Sequence, residues 1–291
     1  MKLNAIQKTI ESIRELPTLP MIANRVNALL YNPRSSAQDL QEVIEKDQSI
    51  TAKVLRLVNS AQYSLPKRVT NIAQAIALLG YKNISYIVMT LSVFDTLKAV
   101  KRGSFDRRKF WIHSIATGLI SMKIAERCMF PMTEDIFTAG LLHDLGKVFM
   151  DGYLHAEFES IVRLAEDRNI SFFEAENILY DVDHAKIGEL ITRMWKLPLP
   201  VIAAVKHHHQ EAEVRKGLSL SSDPFIDIIQ IADIGVKVFE FGHSGDGTGY
   251  KPSFEKKHFL RLPISENEVV ELLGELRSEL EKSQTLLTLA I

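Results

Sequence analysis

The sequence predicts an all-α protein. Three observations carry that prediction. Apolar residues recur at helical spacings of three, four and seven almost throughout, capping and breaking residues punctuate them at helix-sized intervals, and there is little of the alternation that marks a half-buried strand. With 291 residues, 46% of them apolar, the chain can fill one large core or two modest ones.

Taken in order, Ser36 caps a helix that holds Leu40, Val43 and Ile44. Ser49 precedes Ile50, Val54, Leu57 and Val58, and Thr70 precedes Ile72, Ala73, Ile76 and Leu79. Gly80 then stands where a left-handed C-terminal cap is wanted. A fourth helix starts near Asn83 and carries Ile84, Ile87, Val88 and Leu91. The basic stretch 98–109 contains Gly103 and changes the composition, which places a subdomain boundary there. A long helix follows with Phe110, His113, Ala116, Thr117, Ile120 and Ile124 on one face, and Pro131 ends that region. The next helix runs from Ile136, Phe137, Leu141 and Leu142 into His143-Asp144-Leu145-Gly146-Lys147. Asp183 caps the helix of His184, Ile187, Leu190, Ile191 and Met194; Pro198 stops it, and Pro200 opens a helix through Val201, Ile202 and Val205 to His207-His208-His209. After a polar stretch, Ile226, Ile229, Asp233 and Val236 share a helix. Residues 242–250 have the composition of a flexible loop, and Ser265 with Glu268 forms a capping box before Val269, Leu272, Leu273, Leu276 and Leu280. The expected organisation is two packed helical subdomains, 1–104 and 105–240, followed by a Gly-rich loop and an amphipathic helix, 241–291, packed on the core.

Composition excludes several classes. A net charge of -1 gives no global field for nucleic acid or an anionic membrane. The local cluster Lys98, Lys101, Arg102, Arg107, Arg108 and Lys109 reads as a solvated linker rather than a nucleic-acid site. The single Cys128 allows no internal disulfide. No apolar run reaches the ~18 residues of a membrane span, and Gln7, Lys8, Glu11 and Glu15 interrupt any signal-like stretch. The expected location is the cytoplasm.

Seven residues stand out: His113, His143, Asp144, His184, His208, His209 and Asp233. Taken singly, each reads more readily as a hydrogen-bonded core residue than as a ligand, and the run at 207–209 as a polar helix end facing the dipole. Jointly they point elsewhere. His113 lies three, four, seven and eleven residues before core positions; His143, Asp144, His208, His209 and Asp233 each follow an apolar residue by seven. Both aspartates therefore lie on apolar faces, where an unpaired carboxylate is costly and a cation neutralises it. Imidazole with carboxylate suits Fe, Mn, Zn or Ni, in one or two ions, whose identity the ligand types leave open. A His/Asp centre is a usual device for hydrolysing phosphate esters.

The pattern His113 … His143-Asp144 … Asp233 resembles the HD superfamily of metal-dependent phosphohydrolases. HDLGK (143–147), HAKIGELI (184–191) and HHHQ (207–210) resemble its HD-GYP branch, which hydrolyses cyclic di-GMP. The closer resemblance is to the HDOD family, the HD-related output domains of bacterial signalling. It is carried by LPTLP (16–20), IEKDQSITAKVLRLVNSAQY (44–63), NIAQAIALLGYKNI (71–84), FWIHSIATG (110–118) and WKLPLPVIAAVKHH (195–208). That resemblance implies an HD-like helical core in the second subdomain and an output or regulatory role, with a signalling protein as partner and a nucleotide ligand as a further expectation. The stripe of Leu272, Leu276 and Leu280 reads first as packing on its own domain and, as the alternative, as a homodimer or partner surface. The resemblance also implies that His113, His143, Asp144 and Asp233 hold one cation. Asp144 would bridge to a second cation on His184, His208 and His209. Asp144 and Lys147 would then be the catalytic pair of a phosphohydrolase, Lys147 facing the phosphate. Two departures from HD-GYP are visible. Lys109 stands where that branch can carry a glutamate for a third metal. Gln210-Glu211-Ala212-Glu213 follows the histidine pair in place of DGxGYP, while the look-alike DGTGYKP lies at 246–252 and reads as a Gly-rich loop.

Overall fold

The computed structural model describes residues 20–30, 32–59, 68–98, 105–130, 133–215 and 223–277, and all regular structure among them is helical. The segment LPTLP and Leu280 lie outside the described residues, apart from Pro20. Contacts divide the chain into two compact units, one within 17–99 and one within 100–277.

The first unit contains α1 (Met21–Leu30), α2 (Ala37–Glu45), α3 (Gln48–Val58), α4 (Ile72–Leu79) and α5 (Tyr81–Lys98). Its core is Val26, Leu40, Ile44, Val54, Leu57, Ile72, Ile84 and Leu91, all fully buried. Ser36 caps α2 in a reciprocal pair with Asp39. Two caps differ from the sequence reading. Asp47, not Ser49, accepts from Ile50 N (3.0 Å) to start α3, and Asn71, not Thr70, accepts from Gln74 N (2.9 Å) to start α4. In both cases the longer carboxyl or carboxamide side chain nearby takes the capping role, one or two residues from the expected hydroxyl. Gly80 has φ +87°, donates to Ile76 O, and lets α5 begin at Tyr81, bent by 118° from α4. Lys53 on α3 pairs with Asp95 on α5. Among the described residues no single helix is long and apolar enough to cross a membrane.

The second unit is built on α6 (Arg107–Arg127), against which α7 (Thr133–Leu142) and α13 (Asp223–Val238) pack. Around them lie α8 (Leu145–Tyr153), α9 (His155–Arg168), α10 (Phe172–Leu179), α11 (His184–Met194) and α12 (Leu199–His207). The last described helix, α14, covers 266–277 behind the Ser265–Glu268 capping box. Its Val269, Leu273 and Leu276 are fully buried, and Leu273 abuts Gly235 of α13, so the stripe is spent inside its own unit.

Three expectations are corrected here. The helix of Ile136 and Phe137 stops at Leu142, so His143 and Asp144 occupy a turn before α8 rather than a continuous helix. Arg107 is not a solvated linker residue; its guanidinium clamps the buried Asp151 at 2.7 and 3.0 Å. Residues 242–250 are not a free loop. They form a strap whose Ser244 and Asp246 are buried and whose backbone bonds to Lys109 O and Ile170 O.

Candidate metal centre

Five elements deliver the seven residues. His113 comes from the middle of α6 and Asp233 from α13; His143 and Asp144 come from the α7–α8 turn, His184 from the first position of α11, and His208 and His209 from the turn that ends α12. Local chemistry aims several of them. Asp183 caps α11 by accepting from Lys186 N (2.7 Å), which fixes the orientation of His184 beside it. Asp144 occupies the N-cap position of α8 but accepts no backbone hydrogen bond there. Its carboxylate is turned from capping toward the imidazoles. Gly146 then lets α8 approach α11: a Cβ at that position would collide with the carbonyl of His184.

The side chains converge as two groups, Asp144/His184/His208/His209 and His113/His143/Asp233, with donor atoms inside each group within 4.8 Å of one another. In the first, Asp144 Oδ1 lies 3.0 Å from His184 Nε2 and 3.6 Å from His208 Nε2, while His184 Nε2 lies 3.3 Å from His208 Nε2 and 3.1 Å from His209 Nε2. In the second, Asp233 Oδ1 lies 3.0 Å from His113 Nε2 and 3.5 Å from His143 Nε2, and those nitrogens are 3.2 Å apart. Asp144 joins the two groups. Its second oxygen, Oδ2, is 3.3 Å from His143 Nε2 and 3.7 Å from His113 Nε2.

These contacts are not ordinary hydrogen bonds. His143 Nδ1 donates to Gly140 O (2.7 Å), His208 Nδ1 to Val205 O (2.9 Å) and His184 Nδ1 to Glu176 Oε2 (2.6 Å). With the outer nitrogen donating, the neutral imidazole presents a lone pair at Nε2, and all three aim inward. Asp144 Oδ1 and Asp233 Oδ1 are buried and have no hydrogen-bond partner. A proton on one nitrogen answers one neighbour, whereas a cation at the middle of each group answers all of them. Metal–N and metal–O bonds of about 2.0–2.2 Å put neighbouring ligand atoms roughly 3 Å apart, the spacing found here. The outward Nδ1–H bonds are the outer support that ligating histidines normally have. The residues therefore fit a divalent-metal site.

The electrostatics agree. Burial and neighbouring imidazoles push His208 down to about 4, and burial holds His113 and His209 low as well, so these rings are neutral donors at pH 7. Burial opposes ionisation of Asp144, but the charges of His143 and Lys147 hold it well below the usual carboxylate range. Asp233 is held low against burial by Lys237 and His113. For His143, burial is outweighed by Asp144 and then Asp233, which raise it to about 9. A proton on His143 and a cation in the cradle are alternative answers to the same two carboxylates.

Around the seven lie Lys147, expected from the sequence, and two residues that the sequence does not single out, Glu176 and Lys237. Glu176, fully buried, takes both the backbone N–H (2.7 Å) and Nδ1 of His184. Lys237 pairs with Asp233 (2.9 Å) and Asp246 (3.3 Å). Lys147 lies within α8, fully buried, 2.8 Å from Asp144 Oδ2 and 3.4 Å from Ser244 Oγ. The i,i+4 spacing of Asp233 and Lys237 is a usable signal; Glu176, eight residues before His184 on the preceding helix, matches no helical spacing.

The HDOD domain family model matches residues 16–211. An uncharacterized protein of Treponema pallidum (strain Nichols) is 28% identical over 203 residues, covering 68% of this chain and 38% of that protein. The uncharacterized protein YuxH of Bacillus subtilis (strain 168) is 26% identical over 134 residues, covering 46% and 31%. The chain thus spans about a third of the length of these curated relatives. Among solved structures, an HDOD domain protein of unknown function from Geobacter sulfurreducens superposes with a TM-score of 0.79 at 25% identity, covering 100% and 98% of the two chains. A putative signal transduction protein from Marinobacter aquaeolei VT8 shares the fold with a TM-score of 0.81 at 20% identity, covering 99% of this chain and 65% of that one.

Proposed function

The chain belongs to the HDOD family, and from that membership we propose that it is a bacterial signal-transduction module whose second unit holds a resident two-cation centre. The observation that carries the metal part is Asp144: one oxygen faces each imidazole group, and both groups are closed by inward lone pairs. His113, His143, Asp144 and Asp233 hold one cation; Asp144, His184, His208 and His209 hold the other. Their N/O donor set suits Fe, Mn, Zn or Ni. The output role rests on the HDOD resemblance, and it agrees with a centre of which every member but the half-buried His209 is buried. On this reading the module passes its state to a signalling protein. The test is elemental analysis of purified protein alongside a signalling readout. We expect about two divalent ions per chain. Signalling that survives Asp144→Ala, with metal lost and the fold intact, would show that the module works without its centre.

A second reading, hydrolysis of a phosphate ester, is favoured by the bridging position of Asp144 and by the burial of Lys147 against it. Divalent ions bound there would supply an activated water and offset charge on the phosphoryl oxygens. The chain's own residues would orient the imidazoles through Gly140 O, Val205 O and Glu176, and would place the Lys147 ammonium against Asp144. Metal-loaded protein that turns over no nucleotide or cyclic dinucleotide would remove this reading and leave the first.

A further inference from the structure

We propose that the strap 242–250 is an internal anion ligand: its Asp246 carboxylate fills a phosphoryl site made by Lys237, the Phe172 N–H and, through Ser244, Lys147, and a phosphorylated ligand binds by displacing it. The placement of that ligand next to cations rests on the two-cation reading above; the anion site itself is made of protein atoms.

Asp246 is held by the donor types that a phosphoryl group takes. Its Oδ1 accepts from Phe172 N at 2.8 Å, at the N-terminus of α10. Its Oδ2 lies 3.3 Å from Lys237 Nζ and accepts from Ser244 Oγ at 3.3 Å, and Ser244 Oγ is in turn 3.4 Å from Lys147 Nζ. An ammonium, a hydroxyl and a helix-terminal amide converge on one carboxylate, with a second ammonium behind the hydroxyl. Both lysines reach back to the centre, Lys147 to Asp144 and Lys237 to Asp233. An anion in Asp246's place therefore lies one ammonium away from Asp233, and a hydroxyl and an ammonium away from Asp144. A phosphate monoester carries up to twice the charge of a carboxylate and more acceptor oxygens, so it competes well for the same donors.

The strap runs close along two helices, with residues 244–247 buried, and is tied at both ends. Gly242 has φ +81°, and a Cβ there would collide with Lys109 O and His113 N, so the chain runs flush along the α6 segment that bears His113. Its inner end is tied by His243 N to Lys109 O (3.0 Å). Its outer end is tied by Gly247 N to Ile170 O (3.0 Å), Thr248 Oγ1 to Glu166 Oε1 (2.6 Å) and Gly249 N to Asn169 Oδ1 (3.0 Å). The Thr248 and Gly249 ties are exposed, and such bonds contribute little net stability because water replaces them.

The experiment is calorimetric titration of the full chain with inorganic phosphate, and separately with a nucleoside monophosphate. Asp246→Asn keeps the shape and removes the competing charge; we expect it to bind at least tenfold tighter than the unmodified protein. Adding Lys237→Met should abolish the gain. Glu166→Ala, an exposed change that removes the Thr248 tie at the outer end, should give a smaller gain and faster amide exchange across 242–250. If phosphate and the nucleotide gain equally, the ligand is the phosphoryl group alone; a larger gain for the nucleotide adds a base or sugar subsite to the same site. A cooperatively folded Asp246→Asn protein with unchanged affinity overturns the proposal, and if that variant does not fold, unchanged affinity in Glu166→Ala overturns it. Metal content measured on the same samples separates the two readings. Metal retained without a gain sinks this inference only, and a gain without metal sinks the two-cation centre only.

Discussion

Asp144 concentrates the chemistry of the second unit in one side chain: an N-cap position that does not cap, two oxygens facing two imidazole groups, and a lysine at 2.8 Å. Its counterpart Asp233 touches only one group, and that difference is testable. Asp233→Ala should lower bound metal from about two ions to one, with the ion on His184, His208 and His209 retained; loss of both, or of neither, would refute the division. A second residue tests burial alone. Asp135 is buried in the first turn of α7 with no hydrogen-bond partner, and burial pushes its carboxyl up to about 7. The unfolded chain releases that proton near 3.9, so between about pH 4 and 7 the folded state holds more protons and stability falls as pH rises. Asp135→Asn should remove that slope, making the variant more stable than the parent by up to about 4 kcal/mol at pH 8 and no different at pH 4. Denaturant titrations at the two pH values decide it. The seven candidate residues could be read from the sequence because each sits in phase with apolar neighbours. Glu176, Ser244 and Asp246 could not, since their roles depend on partners between two and nearly a hundred residues away.

For the helices, phase proved more readable than ends. The apolar faces of α6, α11 and α13 place His113, His184 and Asp233 inward as their spacing predicts. The boundaries shift where two capping side chains compete: Asp47 takes α3 from Ser49, and Asn71 takes α4 from Thr70. The break at Leu142 escaped notice because the heptad continues through it, and only the turn of Asp144 toward the imidazoles gives it a reason. The strap at 242–250 was misread because its glycines look like freedom, whereas Gly242 serves a close approach to α6. The contact between α8 and α11 is similarly tight at Gly146, where a Cβ would meet the carbonyl of His184. Gly146→Ala must push the two helices apart, at a cost of about 1–3 kcal/mol or more, since the obstacle is backbone. The displacement falls on His184. The variant should therefore melt lower and lose the cation of the His184 group before that of the His113 group; a lower melting point with both ions retained would mean that the helices yield without moving the imidazole.

The molecule as a whole divides its labour unevenly. All seven candidate ligands, both lysines, the strap and the outer carboxylate Glu176 lie within the unit 100–277. The unit 17–99 contributes an apolar core and capped helices, with no His/Cys/Asp/Glu cluster of metal-binding geometry among its described residues. A ligand that binds the folded state alone stabilises it by about 2.7 kcal/mol at a hundredfold excess over its dissociation constant. That stabilisation acts on the amides whose opening requires the centre to come apart, and these belong to α6 through α13. Here the unpaired oxygens Asp144 Oδ1 and Asp233 Oδ1 and the facing Nε2 atoms make the metal-free core the costlier one. Hydrogen exchange followed with and without a chelator should therefore show slower opening of 105–277 when metal is present, by roughly a hundredfold for amides that exchange through unfolding of that unit. Amides of 20–98 should exchange at the same rate in both conditions. Equal protection of the two units would mean that they open together and that the centre stabilises the entire chain. No difference in either unit would mean that the inward-facing nitrogens and oxygens are satisfied by protons, and that no cation is needed to hold them.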